Sequence, residues 1–326
     1  MRILILGGTV FLGRWTAAEA LRRGHDVTLL HRGRHGRDLF PEAEHLIADR
    51  TGDLSVLRGR SWDAAIDTSG YAARDVAASS EALAAGGLEH LTFVSTCNAY
   101  PDWPERPVDE DSPVWDVDDG EYGPAKAACE RAARAALDDR VAVVRAGLIV
   151  GPHDNVFRLP WWVARVARGG EMLAPGTPER SLQLIDARDL AAFMVDLAER
   201  RQPGTFNGTA PIGSTTFGAV LDAARAASGS DAEPRWVDDV ALEEAGVEPW
   251  TELPLWIPPR FAGTWAVGTD RAQAAGLRHR PIEETVADVW AWLADGGAER
   301  LPDWQVEHRA RGLDPARERE LLAQLR

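Results

Sequence analysis

A tyrosine and a lysine four residues apart form the first pair in this chain whose types and spacing suit proton-transfer chemistry. Tyr122 and Lys126 lie in the segment YGPAK, within a stretch rich in helix-forming residues. Positions i and i+4 share one face of a helix, so the side chains are predicted to be neighbours. A phenol with a pKa of about 10 exchanges protons poorly near neutral pH, and an adjacent ammonium favours its phenolate. The pair is a candidate acid/base centre, although exposed helix pairs with this spacing also arise by chance.

Two hydroxyl residues follow a buried apolar run in the segment FVSTCNAY, residues 93–100. Ser95 and Thr96 come at the end of the predicted strand Leu91–Ser95. Open α/β sheets bind their ligands at the carboxyl ends of the strands. Either hydroxyl could therefore hydrogen-bond a substrate carbonyl and the tyrosine, or simply cap the end of the strand.

A glycine-rich turn, GGTVFLG, joins the first predicted strand, Arg2–Leu6, to the first predicted helix, Phe11–Arg23. Glycine lets the backbone approach a pyrophosphate, and the start of the helix offers it free N–H groups. The turn therefore predicts a dinucleotide site, although Val10 stands where many such turns have a middle glycine. The candidate cofactor-binding residues here are Gly7, Gly8, Thr9, Phe11, Leu12 and Gly13.

Basic residues follow the second predicted strand, Asp26–His31. NAD-binding proteins usually place a carboxylate there for the adenosine ribose, whereas NADP-binding proteins place basic residues near the extra phosphate. This chain has His31, Arg32 and Arg34 instead of a carboxylate, which favours NADP over NAD. The alternative is a solvated basic loop. Asp49, after the third predicted strand, is a minor candidate for binding the adenine amino group.

The elements that would position these residues alternate along the first half of the chain. Short apolar runs at His45–Ala48, Ala64–Asp67, Leu91–Ser95 and Val141–Ala146 are separated by helical or loop segments. Buried parallel strands have this pattern, and repeated βα units predict a doubly wound α/β sheet of the Rossmann type.

The second half of the chain is less regular and predicts a smaller substrate lobe. We assign residues 1–150 to the cofactor-binding domain, with 183–210 returning to it through a helix at Asp186–Arg200 and a strand at Gly204–Asn207. Residues 151–182 and 211–326 are assigned mainly to the lobe. Within it, Trp236–Trp265 is expected to form an irregular apolar wall, and Asp314–Arg326 a solvated surface helix.

Composition limits the classes of partner. The chain has 326 residues, 45% of them hydrophobic, and a formal net charge of −15. Nucleic acid and anionic membranes require clustered positive surface, so neither is an expected partner. The two cysteines make no disulfide framework or zinc motif, and the histidines show no shared metal spacing. We expect a cytoplasmic protein without a signal peptide, membrane span or metal, and leave a homodimer open.

Four segments together resemble the extended short-chain dehydrogenases, which are relatives of the sugar-nucleotide epimerases and dehydratases. They are GGTVFLG (7–13), FVSTCNAY (93–100), YGPAK (122–126) and VVRAGLIVGP (143–152). The resemblance implies a Rossmann domain followed by a smaller, discontinuous C-terminal substrate lobe. It also implies that Tyr122 is the acid/base, that Lys126 also binds the nicotinamide ribose, and that the assisting hydroxyl is Thr96. DTSGY (67–71) is similar to an atypical, reductase-like branch.

The chain also departs from the sugar-nucleotide members of that family. The dehydratases have Asp and Glu after the catalytic threonine, where this chain has Cys97 and Asn98. The arginine that binds a sugar-nucleotide diphosphate is replaced by Leu182, and Arg180 is displaced by two positions. These departures disfavour sugar dehydration and nucleotide-sugar binding.

Three functions follow from the sequence. The first is an NADP-dependent oxidoreductase that transfers hydride to or from a carbonyl or hydroxyl group of a small, fairly apolar metabolite. The second is an NAD-dependent epimerase or isomerase of a sugar nucleotide, which the same tyrosine and lysine could serve. The third is a non-catalytic dinucleotide sensor or a nucleic-acid-binding member of the fold.

Overall fold

The computed structural model of the chain describes residues 1–301 and 312–325. The strands are β1 (Arg2–Leu6), β2 (Asp26–His31), β3 (Glu44–Ile47), β4 (Ala64–Asp67), β5 (His90–Thr96), β6 (Val141–Ala146), β7 (Leu148–Val150), β8 (Glu171–Pro175), β9 (Ser181–Leu182), β10 (Leu184–Asp186), β11 (Gly204–Gly208), β12 (Thr215–Thr216) and β13 (Glu233–Val237). The helices are α1 (Phe11–Arg22), α2 (Ala73–Ala85), α3 (Tyr122–Leu137), α4 (Arg158–Ala167), α5 (Ala187–Arg200), α6 (Phe217–Ser228), α7 (Asp239–Glu244), α8 (Asp270–Ala274), α9 (Ile282–Ala294) and α10 (Pro315–Gln324).

A seven-stranded parallel sheet forms the centre of the molecule. Its strand order is β11-β6-β5-β4-β1-β2-β3, so the chain moves outward from β1 to β3 and then returns to the other side of β1. This reversal between β1 and β4 is the topological switch point, outside which such sheets bind ligands. The predicted fold class, a doubly wound Rossmann sheet with a second lobe, is confirmed.

The apolar runs form strands because both faces of the sheet are covered. Ile3 and Ile5 of β1 pack in one core with α1 and α5, whereas Leu4 and Leu6 pack in another with α2 and α3. Alternate residues of a strand point to opposite faces, so the same short run supplies both cores. The paired register brings Leu6 beside Asp67, and Thr96 beside Ala146, at one edge of the sheet.

A third hydrophobic core lies outside the sheet and belongs to the C-terminal half. Trp162 on α4, Phe217 on α6 and Trp256 are fully buried there, together with apolar residues of β8, β13 and α9. β11 pairs with β6 in the central sheet, and α5 packs on α1. The boundaries we assign to the two domains stay a prediction.

The structure corrects two expectations for the second half. Residues 236–265 are not wholly irregular, because they include the end of β13, helix α7 and a 3-10 segment at Pro259–Trp265. Helix α10 is not simply solvated, since Leu321 is fully buried and the buried Glu318 carboxylate accepts hydrogen bonds from Arg165 Nε at 2.7 and 2.9 Å. The number of charged residues in a segment does not show whether one face of its helix packs against the rest of the protein.

Candidate functional site

The two candidate hydroxyls at the end of β5 have different surroundings. Ser95 Oγ donates to Glu130 Oε1 at 2.5 Å in a buried cluster, in which Arg145 also binds Glu130 with two nitrogens. Thr96 instead lines a cleft of about 500 Å³ at this edge of the sheet. Its Oγ1 accepts hydrogen bonds from Asn98 N at 3.2 Å and Asn98 Nδ2 at 3.3 Å. The structure therefore brings Thr96, and not Ser95, to the cleft.

Tyr122 and Lys126 occupy the first two turns of α3, as their spacing predicts. Tyr122 begins the helix and lines the same cleft as Thr96. Lys126 is buried, and its ammonium donates to the carbonyl oxygens of Gly70 and Val94, each at 2.6 Å. The ammonium also lies 4.5 Å from the centre of the Phe93 ring. The lysine thus ties α3 to the strand that ends at Thr96.

The electrostatics of the pair differ from the sequence expectation of an activated phenolate. Burial raises the pKa of Tyr122, and the nearby phenol of Tyr71 raises it further, although contact with the Thr96 hydroxyl acts in the opposite direction. Burial lowers the pKa of Lys126 to about 8, against the attraction of Asp67 and other groups. The Lys126 ammonium donates to two carbonyl oxygens, and the pKa of Tyr122 is raised. The phenol at rest is therefore protonated near neutral pH.

The glycine turn between β1 and α1 is very tight. Gly7 and Gly8 have φ of +111° and +89°, a region that side chains other than glycine's rarely adopt. A Cβ on Gly13 would lie 2.6 Å from the Gly8 nitrogen, so this glycine allows the helix to approach the turn. Val10 has an extended backbone with φ of −131°, and its position therefore does not require glycine.

The start of α1 fits a dinucleotide diphosphate. Within the described residues, no side chain caps the helix, and its first turn carries no acidic residue. Its first amides can therefore bind an anion. Thr9 and Phe11 are partly exposed at this turn, whereas Leu12 is buried in the core, so only the backbone of Leu12 can face a ligand.

The residues predicted to select the cofactor gather at the ends of β2 and β3. Arg32 and Arg34 are exposed, and their charges help to lower the pKa of Asp49, after the larger effect of hydrogen bonds from Thr51. Asp49 Oδ1 accepts from Thr51 N at 3.1 Å and from Thr51 Oγ1 at 2.9 Å. Exposed guanidinium groups of this kind can form charge-assisted hydrogen bonds with a phosphate.

His31 is buried and forms a hydrogen-bonded chain inside the protein. Its Nδ1 accepts from Gly33 N at 3.2 Å, and its Nε2 lies 2.9 Å from His45 Nδ1. His45 Nε2 in turn lies 3.2 Å from the Phe40 carbonyl oxygen. Both rings complete this chain only when neutral, and burial lowers the pKa of His31 accordingly. The His31 side chain therefore anchors the loop that carries Arg32 and Arg34.

A cleft of about 500 Å³ opens beside Thr96 and Tyr122. Tryptophan side chains dominate its apolar wall, and Arg158 contributes a positive charge. Its lining residues are Thr96, Cys97, Asn98, Trp103, Pro104, Tyr122, Ala146, Gly147, Leu148, Arg158, Gln183, Thr209, Trp250, Thr264, Trp265 and Val267. The volume suits a small metabolite.

Comparison with known proteins identifies the family of this fold and site. The profile of the NAD dependent epimerase/dehydratase family matches residues 3–208. The chain belongs to this family. Epimerase family protein SDR39U1 of Bos taurus is 28% identical over 232 residues, which cover 66% of this chain and 76% of that protein.

Two solved structures share the overall fold of this family member. The Bordetella bronchiseptica enzyme WbmH, in complex with NAD⁺, has a TM-score of 0.67 and 18% identity, covering 91% of this chain and 99% of WbmH. Human SDR39U1 isoform 2, with NADPH, has a TM-score of 0.60 and 21% identity, covering 89% of this chain and 99% of the human one. At these identities, the likeness shows the fold alone.

In this epimerase/dehydratase family member, the sequence singles out neither Arg158 nor Arg50. Arg158 begins α4 and lies in the cleft, although nothing in its local sequence separates it from a surface arginine. The Arg50 side chain is 10% exposed and pairs with Asp67, with Nη1 2.8 Å from Oδ1. It also donates to Ser79 Oγ at 2.7 Å. Both residues depend on tertiary packing that no local motif encodes.

The tryptophans of the predicted apolar wall divide between cleft and core. Trp250 and Trp265 line the cleft, whereas Trp256 is fully buried and donates to Asp239 Oδ1 at 2.7 Å. In residues 1–301 and 312–325, no three His, Cys, Asp or Glu side chains are placed to hold a metal ion. The described helices include none long and apolar enough to cross a bilayer.

Proposed function

We propose that this family member is an NADP-dependent oxidoreductase that acts on a carbonyl or hydroxyl group of a small, fairly apolar metabolite. The observation that carries the proposal is the meeting of Thr96 and Tyr122 in one tryptophan-walled cleft, with Lys126 one turn further along α3. A hydroxyl and a phenol at such a place suit the binding and protonation of a carbonyl oxygen.

Three parts of the chain would hold the cofactor. The glycine turn and the first amides of α1 would bind its diphosphate, and the exposed Arg32 and Arg34 would bind the phosphate on its adenosine ribose. Lys126 would hold the nicotinamide ribose. When bound, NADPH supplies a hydride for the carbonyl carbon and leaves as NADP⁺. The relatives support this proposal, since the human SDR39U1 structure contains NADPH, while the WbmH complex with NAD⁺ keeps the other cofactor as the alternative.

The protein's own residues handle the oxygen and the proton. Thr96 would donate a hydrogen bond to the substrate carbonyl oxygen and hold it near Tyr122. In the reductive direction, the phenol of Tyr122 gives its proton to that oxygen and becomes a phenolate, which solvent then reprotonates. A raised pKa suits this direction, because it keeps the phenol protonated until the substrate oxygen gains charge.

The second candidate is an epimerase or isomerase with a tightly held NAD, which the family assignment and the names of its relatives favour. The same phenol would move a proton in both directions without net oxidation of the substrate. Dehydration is disfavoured, since Cys97 and Asn98 occupy the positions where the dehydratases that the chain resembles have Asp and Glu. Burial also raises the pKa of Cys97 to about 12, so its thiol is a poor base.

The test begins with calorimetric titration of the purified protein with NADPH and NADH in parallel, after any copurified cofactor has been identified. A screen of carbonyl compounds then follows NADPH oxidation with the wild-type protein, Tyr122→Phe and Tyr71→Phe. Tyr71 is a suitable control because it is a second phenol close to Tyr122 that does not line the cleft.

We expect tighter binding of NADPH than of NADH. We also expect turnover that falls by about a hundredfold or more in Tyr122→Phe, with NADPH binding unchanged, and much less in Tyr71→Phe. Resident NAD without net substrate oxidation would favour the isomerase instead. Turnover that survives in Tyr122→Phe, or a protein that binds neither dinucleotide, would refute the proposal.

A further inference from the structure

Two histidines hold both ends of the loop that joins β2 to β3. At the start of the loop, His31 Nδ1 accepts from the Gly33 amide at 3.2 Å. Near its end, His45 Nε2 lies 3.2 Å from the Phe40 carbonyl oxygen. The two rings meet edge to face, with His31 Nε2 2.9 Å from His45 Nδ1. One chain of hydrogen bonds therefore links the two ends of the loop.

Only one arrangement of protons completes this chain. Because His31 Nδ1 accepts from an amide, the ring carries its proton on Nε2 and donates it to His45 Nδ1. His45 then carries its proton on Nε2 and donates it to the Phe40 carbonyl oxygen. A second proton on either ring would set two donors against each other, at the Gly33 amide or between the rings. The loop is therefore held at both ends only while both rings are neutral.

The surroundings of the pair oppose its protonation. Burial lowers the pKa of His31 most, and the charges of His45 and Arg37 lower it further. Glu44, the acidic residue of β3, binds Arg60 instead, at 2.8 and 2.9 Å. In the described part of the chain, neither ring bonds to a carboxylate that would stabilise an imidazolium. The other charged or titratable residues of the loop and of the turn after β3 are Arg32, Arg34, His35, Asp38, Glu42, Asp49 and Arg50.

The loop carries Arg32 and Arg34 on either side of the residue that the pair holds. Gly33, between them, has φ of +67°, which glycine adopts without strain. Further along, a Cβ on Gly36 would lie 3.0 Å from Thr9 Cβ, so the loop also packs against the glycine turn. The way the loop is held therefore sets the place of both guanidinium groups relative to the diphosphate site.

We propose that His31 and His45 are positioning residues for cofactor selection, which as a neutral pair hold Arg32 and Arg34 where both can bind the extra phosphate of NADP⁺. NAD⁺ lacks that phosphate, so its binding is indifferent to the pair. Protonation of either ring breaks the chain and releases one end of the loop, and the preference for NADP⁺ then declines. This inference rests on the proposed function, which assigns the phosphate to the two arginines.

The test measures the affinity of the full-length protein for NADP⁺ and NAD⁺ by calorimetry, between about pH 8 and pH 5.5. The oxidised cofactors are used because the reduced ones decompose in acid. The leucine pair, His31→Leu/His45→Leu, removes the whole chain. The amide pair, His31→Asn/His45→Gln, keeps an acceptor for Gly33 in place of Nδ1 and a donor to Phe40 in place of Nε2. Neither of its side chains titrates.

His90→Leu is the matched control. It removes another buried histidine, together with the 3.0 Å hydrogen bond between His90 Nε2 and Thr92 Oγ1. His90 begins β5, at the opposite end of that strand from Thr96. The control therefore reproduces the loss of a buried ring without touching the loop.

At about pH 7.5, we expect the wild-type protein to bind NADP⁺ about tenfold or more tightly than NAD⁺. The leucine pair should lose most of this preference through weaker NADP⁺ binding, with NAD⁺ binding unchanged. The amide pair and His90→Leu should keep it. A positioning role predicts this split between the two cofactors, whereas a general loss of stability would weaken both.

The pH profile provides a second readout. A lowered pKa keeps His31 neutral at and above neutral pH, so the preference is complete there and is lost as the pH falls below about 6.5. The extra phosphate of NADP⁺ also takes up a proton near about pH 6, but it does so with every variant. The wild-type protein should therefore lose its preference more steeply than the amide pair, and the difference between the two profiles reports the histidines.

The proposal is overturned if the leucine pair keeps the preference, if the amide pair loses as much of it as the leucine pair, or if the wild-type protein and the amide pair have the same pH profile. Thermal unfolding checks that each variant is folded. If the leucine pair is not, His45→Leu alone provides the test, since it releases only the Phe40 end and should lose part of the preference. A wild-type protein without an NADP⁺ preference would refute the NADP-dependent oxidoreductase as well, whereas a preference that survives in the leucine pair would refute only the role of the histidines.

Discussion

The Lys126 ammonium donates a hydrogen bond to the Val94 carbonyl oxygen, 2.6 Å away, and so joins helix α3 to strand β5 two residues before Thr96. The helix carries Tyr122 and the strand carries Thr96, so this one bond helps to set the distance between the phenol and the hydroxyl. The lysine thus has a positioning role in addition to the charge it brings. Because burial lowers the pKa of Lys126 to about 8, the loss of its charge falls within the pH range of ordinary activity measurements.

Carbonyl reduction should lose efficiency as the pH rises through about 8. Burial lowers the pKa of Lys126 to that value from its usual range, so the ammonium becomes neutral on the alkaline side. The pKa of Tyr122 is raised, so the phenol is still protonated there. The measurement is the pH profile of kcat/KM for NADPH-dependent reduction, in which we expect a descending limb near pH 8.

Lys126→Arg provides the control for this limb, because a guanidinium stays charged throughout the accessible pH range. Whatever activity this variant retains should show no descending limb near pH 8. A limb at the same pH in both proteins would assign it to another group and contradict the prediction.

Thr96→Ala and Ser95→Ala should have opposite signatures. Loss of the Thr96 hydroxyl removes a donor to the substrate oxygen, and kcat should fall by about a hundredfold with little change in stability. Loss of the Ser95 hydroxyl removes its hydrogen bond to Glu130, which should lower the free energy of unfolding by about 1–2 kcal/mol with kcat nearly unchanged. Urea unfolding and steady-state kinetics on both variants check this. If Ser95→Ala were the variant that lost activity, the roles would be reversed.

The sequence predicted the sheet well because its strands are short apolar runs covered on both faces. The Asp26–His31 strand has the predicted bounds, whereas β5 extends one residue beyond Leu91–Ser95 at each end, to His90 and Thr96. Adjacent strand residues point to opposite faces of the sheet, so only one of the two hydroxyls can face the cleft. Only the packing of Ser95 against Glu130 distinguishes them.

The chemistry of the site was harder to predict than its location. Spacing correctly places Tyr122 and Lys126 on successive turns of one helix, but it does not show that the ammonium turns towards Gly70 and Val94. Arg158 has no signal in the sequence, since its place in the cleft depends on Trp250, 92 residues further along the chain. Long-range packing fixes both features, and local pattern carries no information about it.

Arg32→Ala/Arg34→Ala should lower the affinity for NADPH by about ten- to a hundredfold and leave NADH binding unchanged. The two exposed guanidinium groups at the end of β2 would lose their charge-assisted pairing with the extra phosphate, which NADH lacks. Parallel calorimetric titrations measure both affinities. Arg74→Ala, which alters an exposed arginine on α2, is the control for a general effect of net charge. Equal losses for both cofactors would contradict the assignment of these arginines.

Breaking the buried Arg50–Asp67 pair should be far more destabilising than breaking an exposed pair. Asp67→Asn leaves an uncompensated buried guanidinium, which should lower the free energy of unfolding by about 3–5 kcal/mol. The exposed Arg2–Asp63 pair, with its charged atoms 3.7 Å apart, provides the control through Arg2→Gln, and should cost less than about 1 kcal/mol. Similar losses in the two variants, measured by urea unfolding, would contradict the prediction.

The same Asp67→Asn variant should also move the alkaline limb of the activity profile. The charge of Asp67 raises the pKa of Lys126 against the effect of burial, so its removal should lower that pKa further. The descending limb should then shift to lower pH than in the wild-type protein, while Arg2→Gln leaves it in place. A limb that stayed near pH 8 in folded Asp67→Asn would show that the carboxylate stabilises the fold without tuning the lysine.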